Sequence, residues 1–327
     1  MKLKSIILPS LALAAAMTSC EAVYEDLNPC PQGADFVLQF THNMTGEDRF
    51  SADVHCPVLF LYDSEGNFVD RYNFDTDGKL SLELEEGDYH AISFGGMDCP
   101  EADFVFNQDF LTSHHYTELE TYIRGTRGGE SSKRLHAQHH AMEDFTVIAT
   151  PEGHTKVILD FVRNTNLIKA ELAYSDGSAI SPSAFNYTIT ADNAATDHAN
   201  KVVASGEHTV YRPHDTGTDP QGMTIDGANV PTAWAEMTIG RLEDDMTATL
   251  LVTRAATGEQ VAKIDLVKYF EKIMGNELSG VTLQEYLDRQ AEWTISFTLD
   301  PETEKLAGLQ FKINGWILNL ANEGTIL

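Results

Sequence analysis

Three groups of side chains have types and spacing that could do chemistry. His136, His139 and His140 recur at i, i+3 and i+4, which on a helix would turn three imidazoles toward one cation. No Cys stands near them and no H-E-x-x-H accompanies them, so the expectation is exposed loop histidines, as for the pair His114-His115. Asp75-Thr-Asp77-Gly78 echoes the start of a calcium loop, but the glutamate that closes such a loop is missing at the required offset, and the stretch reads as a hairpin turn. Gly125 to Gly129, flanked and interrupted by Arg124 and Arg127, lacks the Lys-Ser/Thr of a phosphate loop and reads as a flexible loop. There is no Gly-x-Ser-x-Gly, and no pair of carboxylates can be placed together. Phe94, Phe104 and Phe106 read as core and not as a sugar platform. The sequence therefore predicts no enzyme, no cofactor and no metal.

The remaining chemistry is that of four thiols, Cys20, Cys30, Cys56 and Cys99. Cys20 closes an apolar run. Met1 to Lys4 carries two lysines, and Ile6 to Met17 is apolar but shorter than the roughly 20 residues that span a bilayer. Small residues Thr18 and Ser19 follow. This is a secretory signal over residues 1–19, to be set apart from the fold. Met17-Thr-Ser-Cys20 resembles a bacterial lipobox with Met in place of the usual Leu. In such signals cleavage falls between Ser19 and Cys20, and the cysteine becomes the first residue, carrying a thioether diacylglycerol and an N-acyl chain. A thiol is needed because the thiolate is the nucleophile. Each buried methylene contributes about 0.8 kcal/mol, so three acyl chains hold where one barely does. Residues 20–33 then read as a tether. Glu21, Glu25 and Asp26 crowd the anchor, as in the surface-export signals of Bacteroidales lipoproteins, which they resemble.

An exported chain can keep a disulfide. Cys30, Cys56 and Cys99 allow three single pairings, each leaving one thiol over. Cys56 precedes an apolar strand and Cys99 follows another, so antiparallel neighbours would bring these two together.

Length and composition bound the rest. The chain has 327 residues, which suggests two domains, and is 42% hydrophobic, enough for real cores. Its net charge is −28, from 50 acidic and 22 basic residues. Removing residues 1–19 takes away Lys2 and Lys4 and no acid, leaving 20 basic residues and −30. Such a surface repels nucleic acid and anionic headgroups, so neither nucleic-acid binding nor a basic membrane patch is expected.

The elements that would position any site are strands. Leu80, Leu82 and Leu84 alternate with Lys79, Ser81, Glu83 and Glu85. Glu86-Gly-Asp88 turns, and Tyr89 to Phe94 returns. Phe36, Leu38 and Phe40 alternate, as do Val58, Phe60 and Tyr62. Asp63 to Asn67 turns into Phe68 to Tyr72. Short strands at this spacing predict antiparallel sandwiches. A boundary near Pro151-Glu-Gly153 separates residues 34–153 from 154–327. In the second part Val157 to Val162 is an apolar run. Met246, Ala248, Leu250 and Val252 alternate, and so do Trp293, Ile295, Phe297 and Leu299. Ala262 to Met274 carries Ile264, Val267, Phe270 and Ile273 at helical spacing, and Thr282 with Glu285 forms a capping box. The end reads as a hairpin: Asn314-Gly315 sets Ile313 opposite Trp316, Phe311 opposite Leu318 and Leu309 opposite Leu320. The expected fold is all-β, two tandem sandwiches with short helices inserted in the second.

Several stretches add up to a resemblance. Cys20 is followed by Glu-Ala-Val-Tyr-Glu-Asp-Leu-Asn-Pro-Cys-Pro. Then come Cys-Pro-Val-Leu-Phe-Leu-Tyr-Asp from Cys56, Leu-Glu-Glu-Gly-Asp-Tyr from Leu84, Phe-Gly-Gly-Met-Asp-Cys from Phe94, Gln-Glu-Tyr-Leu-Asp-Arg-Gln from Gln284 and Ile-Asn-Gly-Trp from Ile313. In this order they resemble the fimbrial anchor-subunit family of Bacteroidales, the minor-fimbrium-anchor proteins. The resemblance implies two transthyretin-like sandwiches and an outer-membrane lipoprotein, exposed on the cell surface at the base of a fimbria, lipidated at Cys20. It implies pilin subunits of the shaft as partners, held by strand exchange, in which unpaired backbone groups are satisfied by an incoming strand. The resemblance also implies a limit set on fibre length. The terminal hairpin is a candidate for that contact, and equally a hairpin of its own sheet. The alternatives are a surface glycan-binding lipoprotein and a tip or accessory adhesin of the same fibre.

Overall fold

In this computed structural model the described residues are 32–107, 114–126, 128–149, 153–277, 280–313 and 316–320. They build an all-β protein with three short helices among them. The first strands are β1 (Gly33–Gln39), β2 (Val58–Asp63), β3 (Phe68–Asn73), β4 (Lys79–Glu83) and β5 (Gly87–Gly95), with α1 (Phe50–Asp53) after β1. Short strands β6 (Phe104–Phe106), β7 (Glu120–Ile123) and β8 (Glu130–Ser131) lead to β9 (His139–Val147), β10 (Thr155–Asp160) and β11 (Val162–Arg163). Then come β12 (Asn166–Tyr174), β13 (Phe185–Ala191), β14 (Ala195–Asp197), β15 (Thr209–Tyr211), β16 (Asp215–Ile225), β17 (Ala228–Ile239), β18 (Ala248–Arg254) and β19 (Gln260–Asp265). Helices α2 (Leu266–Glu277) and α3 (Leu283–Arg289) precede β20 (Glu292–Leu299), β21 (Leu306–Ile313) and β22 (Trp316–Leu320).

Two sheets enclose the first core. One has the order β10-β1-β4, the other β11-β9-β5-β2-β3. Phe36 and Leu38 from β1, Leu59 and Leu61 from β2, and Val157 and Leu159 from β10 meet between them. The expected return of Tyr89 to Phe94 onto the Leu80–Leu84 strand is not formed. β4 pairs with β1, and β5 pairs with β2 and β9. The Glu86-Gly-Asp88 turn is a crossing between sheets, because Leu80 and Leu82 of β4 and the apolar face of β5 must cover the same core from opposite sides. Asp75 likewise makes a turn, its Oδ1 accepting from the Asp77 and Lys79 amides at 2.9 and 2.7 Å, yet it joins two sheets and not a hairpin.

The second core lies among three sheets. These are β16-β17-β12-β20-β21-β22, β19-β18-β13-β15-β8 and β14-β7-β6. Ile168, Ala170 and Leu172 of β12 face Tyr187 and Ile189 of β13 and Leu250 and Val252 of β18 in one apolar cluster. Trp293 of β20 stacks on Phe270 of α2 at 3.7 Å between ring centres and donates from Nε1 to Asn166 Oδ1 at 3.0 Å. The helical spacing read from Ala262 begins too early. Residues through Asp265 pair with β18, and the helix starts at Leu266, so Ile264 is buried from a strand. Thr282 does cap α3, its hydroxyl accepting from the Glu285 amide at 3.2 Å.

The line expected between residues 153 and 154 does not coincide with a sheet boundary. β10 lies parallel to β1, with Phe36 beside Val157, so the Val157–Val162 run completes the first sheet pair. In the other direction β7 pairs with β14 and β8 with β15. Val58, Phe60 and Tyr62 of β2 also point away from the first core and join the second cluster, so β2 is buried on both faces.

Candidate assembly interface

In a protein built of sheets the surface open to further pairing is an edge. The six-stranded sheet has two, and they differ. β16 is long and largely exposed, carries Asp215, Asp219 and Pro220, and breaks register between Asp219 and Met223. Proline, charge and bulge each hinder a further strand from pairing. β22, Trp-Ile-Leu-Asn-Leu, carries no charge and no proline. Its inner side pairs with β21, and among the described residues no strand pairs with its outer side. The register is the one a two-residue turn dictates: Ile313 with Trp316, Phe311 with Leu318, Leu309 with Leu320. The turn residues 314 and 315 lie outside the described residues.

The sheet behind this edge is held by buried polar contacts that alternation did not reveal. Glu171 of β12 is buried, paired with Lys169 Nζ at 2.9 Å and accepting from Ser296 Oγ at 3.0 Å. Lys169 also lies over the Trp234 ring at 5.3 Å. Arg241, buried after β17, grips Asp288 of α3 at 2.8 Å. The only sequence signal for Glu171 was a charge inside an apolar strand, Lys-Ala-Glu-Leu. For Arg241 there was none, since its partner lies far along the chain.

The residues singled out in the sequence fall as follows. Ser19, Cys20 and Cys30, with the signal and nearly all of the tether, lie outside the described residues. Cys56 and Cys99 are joined as a disulfide, with 5.5 Å between their Cα atoms. Gly96 helps place Cys99: its φ is +83°, and a Cβ there would come within 2.1 Å of the Ala137 carbonyl, so only glycine lets the loop tuck in.

The histidines depart from expectation. His139 and His140 are on β9, not in a loop, and both are buried. Burial pushes both down to about 3, with no acidic partner strong enough to offset it. His140 Nε2 lies 2.9 Å from the His198 carbonyl, whereas His139 packs edge-on against Phe40 at 5.1 Å with neither ring nitrogen hydrogen-bonded. His136 alone of the three is exposed, held by Asp103 at 2.8 Å. Their strand geometry abolishes the shared face a metal would need, and no metal-binding group occurs among the described residues. His114 is also buried, stacked on Phe68 at 5.0 Å and bonded to the Tyr62 hydroxyl at 3.0 Å. Phe94 and Phe104 are core, and Phe106 packs against it. No described helix is long and apolar enough to cross a membrane.

The comparisons agree in direction. The family model for fimbrillin-A associated anchor proteins Mfa1 and Mfa2 matches residues 27–322. Among solved structures, an adhesin candidate from Bacteroides thetaiotaomicron is 27% identical, with a TM-score of 0.79 over 90% of this chain and 99% of that one. A candidate polysaccharide-binding protein from the same organism is 20% identical, with a TM-score of 0.73 over 89% and 99%. The fimbrial anchor protein Mfa2 from Porphyromonas gingivalis is 15% identical, with a TM-score of 0.65 over 89% and 99%, a likeness of fold. No curated protein matches the sequence.

Proposed function

From the premise that this chain belongs to the family of fimbrillin-A associated anchor proteins, we propose that it is a lipid-anchored base for a fimbria. In this reading Cys20 carries the lipid in the outer membrane, and a fimbrial subunit pairs with the free side of β22. The observation that carries it is the contrast between the two edges of one sheet: β16 is guarded by acid, proline and a bulge, and β22 is bare. An incoming strand would satisfy the backbone groups on that side, each hydrogen bond contributing about 1 kcal/mol. Met17-Thr-Ser-Cys20 supports the lipid end of the reading. We assign the membrane-facing role to the first sheet pair and the fibre-facing role to the six-stranded sheet.

The rival glycan reading needs exposed aromatic rings, and among the described residues the exposed large apolar side chains are Met44, Val69, Ile148 and Ile158. Trp293 is buried, and Trp234 is half-buried beneath Lys169. The test is deletion of this chain from fimbriated cells. Fibres are expected in the medium, and return to the cell with the wild-type chain but not with Cys20→Ala. Fibres that stay on the deleted cells would refute the reading.

A further inference from the structure

The register of the last hairpin decides which backbone groups of β22 are offered to a partner. Successive pairs in an antiparallel ladder alternate between two kinds: one exchanges both N–H···O bonds, and in the other these groups point away from the partner. Ile313 pairs with Trp316 across two residues. That pair is of the bonded kind, because the other kind would require residues 314 and 315, neighbours in the chain, to bond each other. Alternation then makes Phe311 with Leu318 and Leu309 with Leu320 bonded pairs, and Lys312 with Ile317 and Gln310 with Asn319 pairs of the open kind. Trp316, Leu318 and Leu320 therefore direct their backbone groups to β21. Ile317 and Asn319 direct theirs to the outer side, where no described strand pairs.

The same register fixes the two faces that an added strand would continue. Position 318 extends the row of Ile295 and Phe311, and position 320 the row of Phe297 and Leu309. Ile295 and Phe297 are buried in the second core. Positions 317 and 319 lie on the opposite face, in the rows of Thr294 with Lys312 and of Ser296 with Gln310. One face of the edge is thus continuous with the core, and the other with polar rows.

Resting on the reading of β22 as the fibre contact, we infer that the partner supplies a five-residue strand held by the backbone of Ile317 and Asn319. Its first, third and fifth side chains are apolar and extend the core rows. Its second and fourth are polar and extend the outer rows. Main-chain bonds supply the affinity of such an added strand, and its alternate side chains the specificity. What Asn319 contributes is its N–H and C=O, not its side chain.

Proline at an outward position deletes an N–H without removing a bond to β21. In fimbriated cells Asn319→Pro is expected to raise the fibres shed to the medium about tenfold, with the thermal midpoint of the purified chain within a few degrees of wild type. Asn319→Ala should leave attachment unchanged. A photo-crosslinking residue at position 319, with the adduct mapped by proteolysis and mass spectrometry, should mark a subunit segment with the stated alternation. Fibres that stay attached in a folded Asn319→Pro chain, fibres shed by Asn319→Ala, or a crosslinked segment without that alternation would each overturn the inference while leaving the edge as the contact. Fibres that stay attached in Ile317→Lys with Asn319→Lys would overturn the reading of β22, and the inference with it.

Discussion

Gln39 at the end of β1 donates from Nε2 to Asp160 Oδ2 at the end of β10, at 2.9 Å across 121 residues of sequence. The same carboxylate accepts from the Thr41 amide at 2.8 Å and from its hydroxyl at 2.5 Å. Asp160 thereby locks the one parallel pairing on which the first sheet pair closes. Asp160→Ala removes the acceptor of three hydrogen bonds and strands three part-buried donors. The expected loss is about 2–3 kcal/mol, read as a lower urea midpoint with an unchanged slope. Asp160→Asn keeps one carbonyl acceptor and should lose less.

Acid should weaken the fold through β9. His139 and His140 are neutral when folded, held down to about 3 by burial, and titrate near 6.5 when unfolded. Below 6.5 the unfolded chain binds the extra protons. Stability is therefore fully present above about pH 6.5 and falls as pH drops toward 3, at up to about 1.4 kcal/mol per pH unit for each histidine. His139→Phe, which suits the apolar pocket of Phe40 and Phe161, should flatten that fall. Denaturant midpoints at pH 7, 6, 5 and 4 on both chains measure it.

Reduction should have a separate, pH-independent effect. The Cys56–Cys99 bond closes a loop of 43 residues, and chain entropy alone gives it about 4 kcal/mol. Wild type with reductant and Cys56→Ser with Cys99→Ser should lose similar stability. If neither differs from the oxidised wild type, the two sulfurs are not bonded in the mature protein.

Local patterns were legible in the sequence and long-range partners were not. The β21–β22 register followed from Asn-Gly between alternating runs, because a two-residue turn fixes its own neighbours. Thr282 announced α3 for the same reason. The alternation of Leu80, Leu82 and Leu84 gave a strand but named no partner, and the partner is β1, not β5. Val157 looked like the start of a new unit because nothing nearby reveals a parallel ladder to β1. Val58, Phe60 and Tyr62 read as one alternating set, although the continuous apolar run Val58-Leu-Phe-Leu-Tyr62 already carries the signature of a strand covered on both faces. His139 and His140 read as loop residues by their polarity, but they open a strand whose first three residues are buried on both faces. The candidate edge of β22 was visible as an apolar tail. Its contrast with β16 emerged only once both strands stood in one sheet.

Charging the bare edge should detach the fibre without unfolding the anchor. Ile317→Lys with Asn319→Lys introduces the residues that natural edges use to discourage pairing. The expected outcome is at least a tenfold rise in fimbriae shed to the medium, with a thermal midpoint shifted by only a few degrees. The same pair of lysines at Thr218 and Gln221 on the guarded strand β16 should leave attachment intact.

The most direct measurement is a photo-crosslinking residue at Asn319, activated on intact fimbriated cells, with the adduct identified by mass spectrometry and the same probe at Asp219 for comparison. The account predicts a fimbrial subunit attached at position 319 and none at 219. A subunit captured only at 219, or no fimbrial subunit at either position, would contradict it.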